Sequence, residues 1–319
     1  MKTSLLRNLG LAVKGNAHQP RQAPSSPTVA PPRRRRVPVA VGAGQDTANG
    51  FVGRAVTGFD TASEETRDQC EGTHVSYLLR NPCPRHVCLV KKFSPTLMNK
   101  VRPGVRIIWA LGRAVETHVR KALAKTMPDV MYGGWECKCE RTHICDVRSV
   151  AQARRCPECG GTPNTYKELL LEDLDRGMIG SPDVLLKLPI GFVVIECKSV
   201  NLKGYTKVQE VGKPDADHRN QALCYRRIME RNGYDVAPFV VVLYVLKDYQ
   251  FRGSPYTEFQ CTEDDVGAKT ALNLMDTTAE IIQDSIQEQA AMPGRLSACT
   301  ESTSRRAKDC STCTLCFSV

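Results

Sequence analysis

Residues 179–199 constrain this chain more than any other stretch. They read Ile179-Gly180-Ser181-Pro182-Asp183, a run of mostly apolar and turn residues, then Gly191-Phe192-Val193-Val194-Ile195-Glu196-Cys197-Lys198-Ser199. Residues 192–198 are rich in β-branched side chains and too short a run for a helix, which predicts a buried strand. Side chains alternate along a strand, so Glu196 and Lys198 share one face while Ile195 and Cys197 share the other. Asp183 lies on the preceding strand, across a turn containing Pro189 and Gly191, and an antiparallel pairing sets it beside them. Charges inside a hydrophobic sheet are costly unless they pair or hold a metal. Two carboxylates and an ammonium that converge suit a hard cation, Mg²⁺ or Mn²⁺, beside a reacting phosphate.

The rest of the chain supplies a core large enough for such a sheet: 319 residues with 41% hydrophobic content make one large domain or two small ones. There is no apolar run of about 18 residues, so no transmembrane span and no membrane partner are expected. The net charge is +10, yet residues 1–45 hold eight Lys/Arg and no Asp or Glu, which leaves 10 − 8 = +2 for the remainder. Basicity is therefore concentrated in a Pro-, Ala- and Arg-rich segment, residues 1–65, that reads as disordered. Its run Arg33-Arg34-Arg35-Arg36 suits either nonspecific phosphate binding or a solvated linker. The acid-free start also resembles an organelle transit peptide, although the prolines after Gln19 spoil an amphipathic helix.

Ordered structure is predicted from about His74, with a short helix over Val75, Leu78 and Leu79 that ends before Pro82. Residues 105–126 carry Ile108, Leu111, Val115, Val119 and Leu123 at helical spacing, an apolar stripe expected to face the core. Gly112 and Glu116 lie in this helix, and Glu116 borders the stripe, directed toward a neighbouring sheet. His118 is the alternative to it. Residues 166–172 read as a strand that joins the two strands of the opening stretch in a meander. A polar loop follows, then a helix over 215–232 in which Gln221 and Tyr225 share a face. A buried strand within 236–246, an edge strand within 251–261 and a covering helix over 264–291 complete the pattern.

Fifteen cysteines without a secretory signal point to metal ligation inside a cell, in a soluble protein of the cytoplasm or of a host cytoplasm. Cys156-Pro157-Glu158-Cys159-Gly160 is a zinc-knuckle turn. Cys137 and Cys139 complete a tetrahedral structural Zn²⁺ site, with Cys145 as alternate and His143 nearby, in an insertion over 135–161 too small for its own core. At the C-terminus, Cys299, Cys310, Cys313 and Cys316 suit either a local Cys₄ zinc or, with an upstream cysteine, an iron–sulfur cluster.

Taken in order, Cys83, Gly112-x-x-x-Glu116, Pro182-Asp183, Glu196-Cys197-Lys198, Gln221-x-x-x-Tyr225 and the terminal cysteines resemble the PD-(D/E)xK nuclease superfamily. Within it they are similar to the RecB-type iron–sulfur exonuclease branch, including the CRISPR-adaptation exonucleases, the AddB nuclease domain and phage exonucleases. The resemblance covers residues 74–316. It implies an α/β restriction-endonuclease-like fold, a mixed sheet flanked by helices, with a nuclease domain over 74–319 and a cysteine cluster over 299–316. It implies catalysis by Glu116, Asp183, Glu196 and Lys198, the three acids holding Mg²⁺ or Mn²⁺ with the backbone carbonyl of Cys197. Gln221 and Tyr225 would contact DNA. Cys83, Cys299, Cys310 and Cys316, with Cys88 and Cys313 as alternates, would hold a [4Fe-4S] cluster clasping the two ends of the domain.

The function so implied is a metal-dependent DNA exonuclease acting on single-stranded or duplex ends in recombination, repair or phage DNA metabolism, with a helicase or recombinase as partner. An endonuclease of the same superfamily and a nuclease-like protein that binds DNA without cutting it are the alternatives. A zinc-ribbon regulator built on residues 137–159 would leave the strand charges unexplained.

Overall fold

A computed structural model of the protein describes residues 72–80, 83–93, 103–136, 139, 142–145, 156, 159–161, 165–248, 252–287, 292–294, 299 and 316. The expected disordered segment over 1–65 lies outside them, as do Cys137, Cys310 and Cys313. The first described elements are β1 (Thr73–His74) and helices α1 (Val75–Arg80), α2 (Pro84–Phe93) and α3 (Pro103–Thr126). Strands β2 (Met131–Glu136), β3 (Thr142–Cys145), β4 (Thr165–Lys167), β5 (Leu171–Asp173), β6 (Met178–Gly180), β7 (Val184–Leu188) and β8 (Gly191–Val200) follow. The chain continues through α4 (Leu202–Val211), α5 (Ala216–Arg231), β9 (Val240–Leu246), β10 (Tyr256–Cys261) and α6 (Ala268–Gln287).

The main sheet runs β10-β9-β8-β7-β2-β3, with β4 also paired to β2, and a small sheet runs β1-β6-β5. Only β8 and β9 pair in parallel within the main sheet; its other neighbours are antiparallel. The expected architecture, a mixed sheet flanked by helices, is the one found. The parallel pair needs a crossover, and α4 and α5 supply it. Phe192 and Val194 of β8, with Val240, Val242, Tyr244 and Leu246 of β9, pack in one core with Ala222, Leu223, Tyr225 and Ile228 of α5. Helices α1 and α6 contact the same α5.

Four expectations are corrected. Residues 166–172 do not form one strand: β4 joins the main sheet and β5 the small one, with Glu168, Leu169 and Leu170 making the passage between them. The outer neighbour of β7 is instead β2, a strand disguised by Gly133 and Gly134. Gly133 is required there because the Tyr166 ring lies across it, and a Cβ would stand 2.6 Å from Tyr166 Cε2. The Tyr166 hydroxyl donates to the Tyr132 carbonyl at 2.9 Å and accepts from the Leu185 N–H at 3.3 Å, tying three strands together. The polar loop after β8 is helix α4, capped by Asn201 and closed by Gly212 at φ 68°. It buries only Tyr205 and Val208, too narrow a stripe to stand out in sequence. Finally, α3 does not bury its whole stripe. Val119 is buried, but Ile108 is 57% and Leu111 52% exposed, and Ile107 and Trp109 are exposed beside them. An apolar face records amphipathicity; it does not say what covers it.

Candidate active site

The geometry begins with the β7–β8 hairpin. Val184 stands opposite Ile195, so Asp183, one step beyond, faces Glu196. The backbone N–H of Cys197 donates to Asp183 Oδ2 at 2.6 Å, which fixes that carboxylate. Strand alternation puts Glu196 and Lys198 on one face as expected, and Lys198 Nζ donates to Glu196 Oε1. The Cys197 thiol is buried, and burial, reinforced by Asp183 and Glu196, raises its pKa well above the usual range.

Helix α5 braces the lysine. Lys198 Nζ also donates to Gln221 Oε1 at 3.1 Å, and Gln221 Nε2 donates to the Tyr225 hydroxyl at 2.9 Å. The amide therefore has one orientation: its oxygen on the ammonium, its nitrogen on the phenol. Tyr225 is 1% exposed, and a Cβ at Gly180 would stand 2.5 Å from its Cε1. Gly180 is thus a packing requirement, set by the ring that supports Gln221. The resemblance implies a DNA contact for both residues of this pair; in this structure Tyr225 is buried and its hydroxyl accepts from Gln221. Through Gln221 it is linked to Lys198 by two successive hydrogen bonds.

Helix α3 brings Glu116, and the chain after β4 brings Glu168. One carboxylate oxygen each from Glu116, Glu168 and Asp183 lie within 4.8 Å of one another. Arg120, one turn after Glu116, reaches both glutamates: Nη2 is 2.7 Å from Glu168 Oε1 and 3.3 Å from Glu116 Oε2. Gly112 faces Ser199 of β8, where a Cβ would lie at an ordinary 3.5 Å from Ser199 Oγ. His118 is exposed on α3, outside this group.

Burial and the charge of neighbouring carboxylates leave Asp183, Glu196 and Glu168 reluctant to ionise. The pKa of Asp183 is raised well above the usual carboxylate value by burial, then by Glu196 and Glu116, against the pull of Lys198 and the Cys197 N–H. Glu196 is raised by burial despite Lys198, and Glu116 and Glu168 add to it. Burial opposes the charge on Lys198, yet Glu196, Asp183 and Glu116 together raise its pKa. Glu196 is 2% exposed, and its Oε2 is buried without a hydrogen-bond partner among the described residues. With Glu116, Glu168, Asp183 and Glu196 ionised against Arg120 and Lys198, the group carries −4 + 2 = −2. Hard oxygen donors, an orphaned buried carboxylate oxygen and a net charge of that size fit a Mg²⁺- or Mn²⁺-type ion.

A second donor group lies in the cysteine-rich insertion. Cys139, Cys156 and Cys159 offer thiols within 4.8 Å of one another, with Cys139 Sγ and Cys156 Sγ 3.5 Å apart. The knuckle closes through Gly160 N–H to the Cys156 carbonyl at 2.8 Å and Cys156 N–H to the Gly161 carbonyl at 2.7 Å, with Gly160 at φ 67°. Three soft thiolates fit zinc. The expected fourth, Cys137, lies outside the described residues, as do the side chains of the alternates Cys145 and His143. Of the terminal set, Cys83, Cys299 and Cys316 do not form a three-thiol group among the described residues. The terminus nevertheless returns to the start of the domain: Arg85 of α2 donates from Nε to Cys316 Sγ at 3.3 Å and from Nη2 to the Cys316 carbonyl at 3.2 Å.

Sequence reasoning missed Glu168 and Arg120. Arg120 carried a signal, the Glu116-to-Arg120 spacing of four on one helix face. Glu168 carried none, since it sits in an irregular connection.

No known family profile and no curated protein matches the chain. Among solved structures, it is similar to SSO0001 at 14% identity and TM-score 0.40, covering 84% of this chain and 96% of that one. It is also similar to LHK-Exo, solved in complex with dAMP, at 13% identity and TM-score 0.35, covering 69% and 93%. At these TM-scores neither likeness decides fold or function, which rest on the geometry above. Among the described residues no helix is long and apolar enough to cross a membrane.

Proposed function

We propose that the protein is a Mg²⁺- or Mn²⁺-dependent deoxyribonuclease that hydrolyses phosphodiester bonds from DNA ends. The observation that carries this reading is the buried, partnerless Glu196 Oε2 beside Asp183, Glu116 and a braced Lys198. A structural ion pair would satisfy both carboxylate oxygens; a site that receives a cation leaves one open. Asp183 and Glu196 would hold the cation, with Glu116 beside them. A divalent ion bound there supplies Lewis-acid polarisation of the phosphodiester and acidifies water. Asp183, pinned by the Cys197 N–H, keeps its ligand oxygen in place. Lys198 remains protonated, orients the attacking water and offsets charge that develops on the phosphate. Gln221 and Tyr225 keep the ammonium aimed at that position.

The preference for ends, and a role in recombination, repair or phage DNA metabolism with a helicase or recombinase partner, rest on the sequence resemblance. The approach of Cys316 to Arg85, two residues after Cys83, supports a clasp between the two ends of the domain. An iron–sulfur cluster on Cys83, Cys299, Cys310 and Cys316 is part of the proposal. Visible absorption of the purified protein distinguishes it from colourless zinc. The activity is tested with end-labelled linear DNA and closed circular single strands in Mn²⁺. Release of labelled mononucleotides from linear DNA with circles intact is expected. Equal cutting of circles makes the protein an endonuclease, and no cutting of either makes it a DNA-binding protein.

A further inference from the structure

The pair formed by Arg120 and Glu168 lies outside every motif that led to the active site. A guanidinium that locks a carboxylate does so with two parallel N–H bonds. Arg120 instead spreads a single nitrogen, Nη2, over Glu168 Oε1 and Glu116 Oε2. Its Nε is buried without a hydrogen-bond partner among the described residues. The arginine is held, but its donors are not satisfied.

The acids it bridges are equally unsettled. Glu116, Glu168 and Asp183 bring carboxylate oxygens within 4.8 Å, and such a cluster alone proves nothing. Glu196 adds the independent observation. It is 2% exposed, its Oε2 has no partner among the described residues, and its charge is felt against both Glu116 and Glu168. An open ligand atom therefore adjoins a cluster whose countercharges among the described residues are Lys198, paired with Glu196, and one partly engaged guanidinium.

Resting on the metal-dependent reading above, we propose that Glu168 is an additional carboxylate of the metal site and that Arg120 is a placeholder cation which the entering ion displaces. Arg120 keeps Glu116 and Glu168 converged before the ion arrives. Once the ion takes over those carboxylates, the freed guanidinium is available to a phosphate oxygen of the DNA, the ligand its fork fits best. Arg120 is thus a positioning residue, and Glu168 a ligand.

The test measures Mn²⁺ binding to the full chain without DNA, by the loss of the free-ion electron paramagnetic resonance signal. Glu168→Gln is expected to weaken binding about tenfold or more. Glu168→Asp, which keeps the charge on a shorter arm, should recover part of it and replaces the glutamine variant should that fold poorly. Arg120→Gln removes a competing positive charge and should tighten binding severalfold, whereas Arg120→Lys should stay near the wild-type value. Wild-type affinity in Glu168→Gln overturns its role as ligand. Weakened binding in Arg120→Gln overturns the placeholder and makes the arginine a fixed support. Asp183→Asn separates the two levels of the argument: if it abolishes binding while Glu168→Gln does not change it, the inference fails and the site stands. If the unsubstituted protein binds no Mn²⁺, the metal-dependent reading itself fails.

Discussion

Helix α5 touches two arrays of charge built in opposite ways. Toward β8 it braces Lys198 through Gln221, at the margin of a group with four carboxylates and two cations. Toward α6 it carries Arg226, Arg227 and Arg231, which with Arg176 meet Asp173, Glu230, Glu263, Asp276 and Glu280 in a network where every acid faces a guanidinium. In this second array Arg227 grips Glu263 with both Nε and Nη2, at 3.2 and 2.7 Å, and places Nη1 2.9 Å from Asp276. Arg231 joins Asp276 to Asp173 across to β5. The electrostatic consequences have opposite sign. Hydrogen bonds from Arg227 hold Glu263 below its ordinary pKa, while burial and like charge push Asp183 and Glu196 above theirs. One array faces each of its acids with an arginine; the other leaves a buried carboxylate oxygen, Glu196 Oε2, open among the described residues. An acid that keeps an oxygen open, more than burial, distinguishes the first array from the second.

Four changes would break or sharpen this contrast. The largest effect is expected for Asp183→Asn, which should lower the rate of DNA hydrolysis by roughly a thousandfold or more, about 4 kcal/mol of transition-state stabilisation. The same variant should melt higher than the unsubstituted protein in a chelator, because it removes one of the repelling acids. A lower melting temperature would mean that the carboxylates support the fold. Arg227→Ala should do the reverse. It is expected to cost about 3 kcal/mol of stability, the low end for a broken buried pair, because 13% of its side chain is exposed. Turnover at a temperature where it remains folded should stay near normal. Gln221→Ala should reduce turnover about 10- to 100-fold through a misaimed lysine, with Mn²⁺ affinity little changed. Equal losses of both would place Gln221 among the metal's supports.

The smallest effect is in pH. Asp183 and Glu196 hold protons more tightly folded than unfolded, so between the ordinary carboxylate range and their raised values the folded state binds more protons. Metal-free protein therefore loses stability from these groups as pH rises through that window. Glu263, whose folded pKa is lowered, contributes stability above its unfolded value and loses it as pH falls through the lowered one. Calorimetry in chelator should show the melting advantage of Asp183→Asn growing with pH and shrinking when Mn²⁺ is added to the unsubstituted protein. A constant advantage would remove the titration from the explanation.

The parts of the site legible in sequence are those that regular structure places. Alternation along β8 put Glu196 beside Lys198, and a short turn put Asp183 opposite. The spacing of four in α5 put Gln221 over Tyr225, although spacing could not say that the tyrosine would be buried. Glu168 was illegible because the chain leaves β4 without a repeat to fix its direction. Helix α4 was hidden for a related reason: its boundaries are set by Asn201 and Gly212 at the ends, while its short interior buries only Tyr205 and Val208. The exposed half of α3 failed differently, since Ile108 and Leu111 follow the helical period faithfully and still stay more than half exposed.

The turn of Pro189 and Ile190 between β7 and β8 has a kinetic consequence. It makes their pairing the most local in the main sheet around the site, and local contacts form with the least loop entropy to overcome. Asp183 and Glu196 are therefore brought together while the domain is still assembling, before β9 must cross over to lie parallel to β8. Their repulsion then belongs to the folding barrier as well as to the finished site. Stopped-flow refolding of Asp183→Asn in chelator should be faster than that of the unsubstituted protein, with the unfolding rate nearly unchanged; a gain confined to slower unfolding would place the hairpin late in folding.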